Sequence, residues 1–282
     1  MRVADNWKDY ELIDCSCGER LERWGNITLI RPDPQVIWKT EKKNPLWKKA
    51  DAVYHRSQTG GGQWEIRNKI PDFWTINYRD LTFNIKTMGF KHTGLFPEQA
   101  TNWDKVAEII KNAGREVKVL NLFAYTGGAS IAACAGGAAV THVDSVKQVV
   151  TWARENMELS GLKDIRWIVE DALKFVKREV RREKRYDGLI LDPPAYGRGT
   201  DGERWVLEKN IDEMLHECAK LLSDKGFLVL NLYSMGLSPL LARTLAQEAF
   251  GQNGECQFGE LYAEDRFGKS MPMGVYCRIF RK

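Results

Sequence analysis

No stretch of the sequence approaches the roughly 20 consecutive apolar residues that a membrane-crossing helix requires. The opening Met1-Arg-Val-Ala-Asp-Asn-Trp-Lys-Asp9 has no apolar core of signal-peptide length. A soluble, unexported protein of the cytoplasm is therefore expected, with no membrane partner. Cysteine is sparse and scattered: Cys15, Cys17, Cys134, Cys218, Cys256 and Cys277 do not form the dense framework of a small disulfide-stapled domain, and a reducing compartment fits them. Cys15-Ser-Cys17 has no second cysteine or histidine pair to complete the four ligands of structural zinc, so no metal is expected. Histidine is rarer still, at four. His142 falls within an apolar run and reads as structural, while His55, His92 and His216 have no carboxylate or cysteine at a telling spacing. Internal repeats, low-complexity tracts and a G-x-G-x-x-G fingerprint are also missing, and the last absence argues against a dinucleotide.

What is present divides the chain in two. With 282 residues it can hold one large core or two modest ones. Up to about residue 85 the texture is β-like: Ile27-Thr-Leu-Ile30, Val36-Ile-Trp38 and Gln63-Trp-Glu-Ile66 are broken by Arg31-Pro-Asp-Pro34, Asn44-Pro45 and Gly60-Gly-Gly62. Six of the ten tryptophans sit here, at 7, 24, 38, 47, 64 and 74. From about residue 99, strands alternate with helices. Strands are predicted at 117–123, 139–143, 165–169, 186–191, 226–233, 256–263 and 273–280. Helices are predicted near 99–113, 128–136, 146–160, 172–183, 204–222 and 238–250, with Gly161 stopping the third and Gly226 ending the turn before the fifth strand. Alternation of this kind calls for a mostly parallel sheet covered on both faces. The expectation is an α/β protein: a small β-rich N-terminal domain, 1–85, for substrate positioning or as a lid, and a seven-stranded domain, 86–282.

The most informative string is Asn121-Leu-Phe-Ala-Tyr-Thr-Gly-Gly-Ala-Ser130, an apolar strand running into a glycine turn that opens a helix. Glycine tolerates φ angles that a Cβ forbids and lets a ligand approach the backbone, while a helix start offers unpaired N–H groups to an anionic ligand group. Three aspartates end the following apolar runs: Asp144, Asp171 and Asp192. Ligands of open α/β sheets lie beyond the carboxyl ends of the strands, so one crevice should receive all three acids. Without a pyrophosphate to cradle, S-adenosylmethionine suits this set better than NAD. Asp144 suits the two ribose hydroxyls, since one carboxylate accepts two hydrogen bonds, and Asp171 suits the adenine amino group. Each acid alone reads equally well as the cap of the helix that follows it.

Asp192-Pro-Pro-Ala-Tyr196 closes the fourth strand, where two prolines stiffen the loop and remove N–H donors. An amine held by the Asp192 carboxylate and a neighbouring carbonyl would aim its lone pair at a methyl donor, with Tyr196 flat against a planar substrate. A tight proline turn beside a core tyrosine is the alternative.

Taken together, Asn121-Leu-Phe-Ala-Tyr-Thr-Gly-Gly128, Asp144, Asp171 and Asp192-Pro-Pro194 resemble the class I S-adenosylmethionine-dependent methyltransferases, and within them the group related to bacterial large-subunit ribosomal RNA methyltransferases. The resemblance runs from about residue 85 to the C-terminus and includes Lys91-His-Thr-Gly-Leu-Phe-Pro-Glu-Gln99, similar to the family segment that closes over the cofactor. It implies a Rossmann-like domain that binds S-adenosyl-L-methionine through Phe96, Asn121, Phe123, Ala124, Tyr125, Thr126, Gly127, Gly128, Asp144, Ser145, Asp171, Ala172 and Asp192. Asp192, Pro193, Pro194 and Tyr196 are the candidate catalytic residues. The motifs specify the cofactor far better than the substrate.

Members that make 5-methylcytosine carry a cysteine after the fifth strand, whereas this chain has Asn231-Leu-Tyr-Ser234. Transfer to nitrogen or oxygen of RNA, in ribosomal RNA processing, is therefore the expected chemistry. A protein side chain or small molecule as substrate, and a non-catalytic module that only holds the cofactor, stay open beside it. The net charge of +4 permits RNA without demanding it. Lys174 to Arg185, with seven basic residues against two acids, reads as a solvated helix face or as a phosphate contact. The tryptophans among Lys39, Lys42, Lys43, Lys48 and Lys49 read as core packing or as stacking platforms. Oligomeric state is not legible.

Overall fold

The computed structural model describes residues 2–57, 61–233 and 236–281. Contacts divide the chain into a smaller unit, Val3–Ala100 with Tyr262–Met273, and a larger one, Met1–Arg2, Thr101–Leu261 and Gly274–Lys282.

After the two-residue strand β1 (Arg2–Val3), the smaller unit contains β2 (Tyr10–Ser16), β3 (Glu19–Trp24), β4 (Ile27–Pro32), the short helix α1 (Leu46–Lys49), β5 (Ala52–Arg56), β6 (Gly62–Ile66), β7 (Trp74–Tyr78) and β8 (Leu81–Ile85). Strands β2 to β6 form one sheet in sequence order, antiparallel except for β4 and β5, and β7 and β8 form a separate hairpin. Ile13, Leu21, Ile30, Trp47, Ala50 and Val53 pack as one buried cluster.

Tryptophan does structural work here. The indoles donate to Pro97 O from Trp7 (2.9 Å), Cys15 O from Trp38 (2.8 Å), Asp14 Oδ2 from Trp47 (2.7 Å) and Trp24 O from Trp74 (2.9 Å). Area burial with the polar edge satisfied accounts for these residues without a ligand. His55 meets Glu65 on the neighbouring strand at 2.6 Å, a partner that sequence spacing alone does not reveal. The tip Tyr262–Met273 belongs to the same unit: Arg266 grips Glu11 with two bonds (2.6 and 2.8 Å), and Lys269 reaches Asp14 at 2.7 Å.

The smaller unit also buries a charge cluster. Glu22 is fully buried and accepts Arg31 Nε (2.6 Å), Arg31 Nη2 (2.8 Å) and Tyr10 Oη (2.9 Å), with Arg20 Nε at 3.5 Å. Desolvation works to raise the Glu22 pKa, but the charges of Arg20 and Arg31 and the hydrogen bonds of Arg31 and Tyr10 prevail and bring it down to about 2.

The larger unit holds the helices α2 (Ala100–Asn112), α3 (Gly128–Ala135), α4 (Lys147–Leu159), α5 (Ala172–Arg181), α6 (Leu207–Ala219) and α7 (Pro239–Phe250). Its strands are β9 (Lys118–Leu122), β10 (Ala139–Asp144), β11 (Arg166–Val169), β12 (Tyr186–Leu191), β13 (Tyr196–Arg198), β14 (Arg204–Val206), β15 (Leu222–Leu232), β16 (Glu255–Glu264) and β17 (Ser270–Phe280). The main sheet runs β1-β16-β17-β15-β12-β9-β10-β11. Seven of these eight are the expected strands, and β1 adds an edge. Strands β15, β12, β9, β10 and β11 are parallel, while β17 is antiparallel to β15. Leu120, Leu122, Leu189, Leu191, Leu228 and Leu230 bury one face against Phe175, Ile211, Met214 and Ala242 of helices α5 to α7. On the other face Asn121 donates to Ser130 of α3 (2.9 Å), whose hydroxyl meets His142 Nδ1 (3.0 Å). Burial on both faces makes these strands read as unbroken apolar runs.

The chain steps from β9 to β10 and β11 on one side, then crosses back to β12 and β15 on the other. The order therefore reverses between β9 and β12, and the carboxyl ends of those two strands bound the ligand crevice that this topology creates.

Two predicted elements differ. The helix predicted from 204 begins at Leu207, because Arg204-Trp-Val206 pairs with Tyr196-Gly-Arg198 as an antiparallel hairpin. Strand β15 begins at Leu222 rather than 226, so Gly226 lies inside it, at a register irregularity where a Cβ would meet Asp187 O at 2.9 Å. Gly161 stops α4 as expected: at φ +67 it directs its N–H to Glu158 O, and Leu162 N bonds Met157 O.

The Glu22 pKa lies below its ordinary 4.5, so its stabilisation is complete above about pH 4.5 and drains away as pH falls through 2. Glu22→Gln removes the carboxylate that Arg31 grips, while Arg20 keeps Asp33 at 3.7 Å, and should cost about 3–5 kcal/mol in urea unfolding at pH 7 while flattening the acid limb of the stability curve. An unchanged acid limb in the variant would contradict this assignment.

Candidate functional site

Register brings the predicted residues together at one edge. Leu122 pairs with Val143 on one side and Leu191 on the other, and Asp144 pairs with Val169. The turn after β9, Asp144 with Ser145, the Asp192 loop, and Asp171 with Ala172 thus emerge from four adjacent strand ends. Phe96, by contrast, is counted with the smaller unit, where its ring lies 5.4 Å from that of His92.

The turn after β9 is an alternating left-handed run: Phe123 (φ 54), Tyr125 (φ 49) and Gly127 (φ 89). Only glycine occupies that region without strain. The geometry is held from the neighbouring strand, since Ala124 N donates to Val143 O (3.1 Å) and Tyr125 N to Asp144 Oδ2 (2.9 Å). Gly127 N turns back to Ala124 O (3.1 Å), and buried Thr126 offers its carbonyl to Asn156 Nδ2 (2.9 Å). The glycines also serve packing. A Cβ on Gly128 would lie 2.5 Å from Trp103 Cζ2, and one on Gly127 would lie 3.0 Å from Ala153 Cβ.

Asp144 is half-buried, with Oδ1 accepting Val146 N at 3.0 Å. Desolvation raises its pKa against the opposing pull of the backbone N–H groups of Val146, Tyr125 and Ser145. Asp171 caps α5 by accepting Lys174 N (2.9 Å) through Oδ1, the local role that its position before a helix allows. Ala172 follows as a buried residue of that helix.

Asp192 stands apart. It is half-buried and, among the described residues, its carboxylate has no hydrogen-bond or ion-pair partner, so desolvation alone pushes its pKa up to about 7. The loop behind it is rigid: Trp205 Nε1 donates to Pro194 O (2.6 Å), and Leu207 N to Ala195 O (3.0 Å). Tyr196 is 50% exposed at the root of the hairpin, and Arg198 foremost, then Arg204, hold its phenol below the usual value.

Sequence reasoning passed over the hairpin and Trp205, whose ring is 4.7 Å from that of Phe123 and braces the glycine turn against the Asp192 loop. Strand-like residues on either side of Gly199 and Gly202 carried the signal. In the basic run from Lys174, Lys174, Lys177 and Arg178 pair with Asp201, Glu213 and Glu170, and Phe175 and Val176 turn into the core.

The donor set fits S-adenosylmethionine on physical grounds. Amides of Ala124, Tyr125 and Gly127 are already committed to protein acceptors, so the turn is no pyrophosphate cradle, while carboxylates at the strand ends suit hydroxyl and amine donors.

Comparison with known proteins agrees. Residues 51–253 match the model of the S-adenosylmethionine-dependent methyltransferase family. Curated relatives include ribosomal RNA large subunit methyltransferase K/L of Cellvibrio japonicus, 31% identical over 180 residues, 62% of this chain and 23% of the relative. Ribosomal RNA large subunit methyltransferase K of Neisseria meningitidis is 28% identical over 239 residues, 80% of this chain and 66% of the relative. The chain thus spans about a quarter of the K/L relative. Among solved structures, a SAM-dependent methyltransferase from Agrobacterium tumefaciens superposes with TM-score 0.94 at 37% identity, over 99% of this chain and 93% of that one. A putative methyltransferase solved with SAH shares the fold, with TM-score 0.77 at 18% identity, over 98% of this chain and 76% of that one.

Two outcomes follow from the geometry. Gly128→Ala should destabilise by about 1–3 kcal/mol in urea unfolding, through overpacking against Trp103; an unaffected midpoint would contradict the contact. The Asp192 pKa is raised above its ordinary 3.8, so folding loses stability as pH rises from about 4 to 7. Asp192→Asn should therefore gain stability relative to the parent over that interval, with the two converging below pH 4; parallel curves would contradict the assignment.

Proposed function

The chain belongs to the S-adenosylmethionine-dependent methyltransferase family, and from that premise we propose that it methylates a nitrogen or oxygen atom of RNA, with ribosomal RNA as the substrate class. The observation that carries the site assignment is the contrast between Asp144, supplied with backbone donors, and Asp192, which has none among the described residues.

In this reading Asp144 accepts the two ribose hydroxyls of the cofactor, with its orientation preset by Tyr125 N and Val146 N. Asp171 faces the adenine edge with the carboxyl oxygen not used in capping, and Phe123, Ala124, Ser145 and Ala172 complete the adenosine surroundings. The start of α3 at Gly128, which has no side-chain cap, suits the cofactor's carboxylate, while Gly127, its own N–H spent on Ala124 O, shapes the turn before it. Asn121 acts one layer down, fixing α3 through Ser130.

When bound, S-adenosylmethionine supplies a sulfonium methyl group that is already electrophilic. The protein's part is position. A substrate amine donates its hydrogens to Asp192 and to the Pro193 carbonyl, which turns the nitrogen lone pair toward the methyl. Pro194 O, already engaged by Trp205, keeps the loop in shape. Tyr196 covers a planar base from the exposed side. Amine donors favour the ionised form of Asp192, so substrate binding draws its pKa down from about 7. Orientation and exclusion of water supply the rate without a strong base; the proton that the acceptor atom sheds would pass to the Asp192 carboxylate, and the cofactor would leave as its demethylated thioether.

Transfer to nitrogen or oxygen is favoured because no cysteine occupies the loop after β15. Ser234, which stands there, lies outside the described residues. Cys218 is buried in the core with its thiol pushed up by desolvation, and Cys256 and Cys277 face each other at 3.7 Å. RNA is favoured by the curated relatives' names. In this reading the β-rich N-terminal residues position the RNA or act as a lid, and the protein works in the cytoplasm. Among the described residues, no helix is long and apolar enough to cross a membrane.

Incubation with labelled S-adenosylmethionine and separated cellular RNA, protein and metabolite fractions should label RNA, at nitrogen or oxygen; label in protein or metabolites alone, or 5-methylcytosine, contradicts the reading. Asp192→Ala should lower kcat about 100-fold, an outcome that a non-catalytic module would not produce. Asp144→Asn should weaken cofactor binding by about 1.5–3 kcal/mol, and unchanged affinity in calorimetry would mean the ribose lies elsewhere.

A further inference from the structure

The hairpin β13–β14 has two unlike faces. Successive residues of a strand point to opposite sides, so Gly197 and Trp205 share one face, and Tyr196, Arg198, Arg204 and Val206 share the other. The Trp205 face is buried against Phe123 and Pro194. On the other, Arg198 and Arg204 are exposed and directly paired across the ladder.

Like charges placed opposite one another destabilise an antiparallel pair. Among the described residues neither arginine has an ion-pair partner, although acids are at hand. Asp201 and Glu203 of the same hairpin face Lys174 instead, at 2.5 and 3.8 Å, and Lys177 takes Glu213 at 2.5 Å. Arg204 and Trp205 also wall a cavity of about 340 Å³ that Lys174 and Lys177 line further along. Lys174 and Lys177 of that wall are neutralised, whereas Arg181, which also lines it, and the facing pair Arg198 and Arg204 meet no acid among the described residues, so positive charge stays open on this side of the hairpin.

The hairpin is anchored where the chemistry is. It follows the Asp192 loop directly, and the Arg198 carbonyl accepts Ser145 Oγ at 3.1 Å, beside Asp144. Gly199 N closes the turn on Glu203 O (2.9 Å). Arg204 lies 5.9 Å over the Tyr196 ring, so a planar group and a fork of guanidinium donors are offered side by side.

We propose that Arg198 and Arg204 form a clamp for one phosphate of the RNA backbone, next to the nucleotide presented to Asp192. A phosphate between the guanidiniums relieves their repulsion, and each guanidinium matches it with parallel N–H donors. The exposed Tyr196 ring beside them favours a nucleotide over an acidic peptide, because bases stack on such rings. The clamp rests on RNA being the substrate, and the experiment separates the two.

Binding of a short fluorescein-labelled single-stranded RNA of mixed sequence is followed by anisotropy at rising KCl, for the parent, Arg198→Ala/Arg204→Ala and Arg198→Lys/Arg204→Lys, with KM, kcat and SAH affinity measured in parallel. The alanine pair should raise the RNA KM about tenfold or more with kcat and SAH affinity unchanged, and flatten the slope of log K against log salt by about 0.7. The lysine pair should keep the slope. A parent that binds and methylates RNA, with alanine variants of unaltered slope and KM, overturns the clamp and leaves the RNA reading standing. Loss of SAH affinity in the alanine pair also overturns it, by making the arginines structural. A parent with no salt-sensitive RNA binding, or one that labels only protein, overturns both.

Discussion

One carboxylate fixes the geometry of the turn at the centre of the crevice. Asp144 takes the N–H of Tyr125 with one oxygen and that of Val146 with the other, and so staples the end of β10 to the turn after β9. That turn holds Phe123 and Tyr125 in the left-handed region, where side chains other than glycine cost on the order of 1–2 kcal/mol each. Without the staple and the Trp205 brace on Phe123, an extended exit from β9 would be preferred, and α3 would start elsewhere. The strain is thus tied to the place where the parallel strands reverse order, the position that open α/β sheets reserve for a ligand.

The two principal acids differ by environment rather than by kind. Asp144 is surrounded by N–H groups that hold its orientation before any ligand arrives. Asp192, two strands away in the sheet, is desolvated with no donor among the described residues, which pushes its pKa up to about 7. A carboxylate with preset geometry suits binding, and one that lacks donors suits a partner that brings its own N–H. Paired acids whose surroundings separate their behaviour are a recurring way to divide roles within one site.

Much of this was legible in the residues. The alternation after residue 99 announced the parallel sheet, because burial on both faces forces unbroken apolar runs, and Gly161 marked a helix end by its need for positive φ. Asp144 and Asp192 were visible as acidic tips of those runs. The hairpin of residues 196–206 was not, since three-residue strands are too short for a period to register, and Trp205 was absorbed into the following helix. Nor could sequence show that Tyr262–Met273 joins the smaller unit through Arg266–Glu11 and Lys269–Asp14, because those bonds close loops of about 250 residues. The tryptophans of the β-rich region carried two readings until their indole partners were seen; four of them hydrogen-bond carbonyl or carboxylate oxygens within that unit. Buried charge such as Glu22 between Arg20 and Arg31 has no sequence signature, for its partners lie on adjacent strands.

The central claim is that the nucleoside of the methyl donor lies across the carboxyl ends of β9 and β10 with its ribose on Asp144. A crystal structure of the chain with SAH tests it most directly. Both ribose hydroxyls should lie within hydrogen-bonding distance of the Asp144 carboxylate, and the sulfur should face the Asp192 loop. A nucleoside located away from those strand ends, or a ribose with no contact to Asp144, would contradict the account.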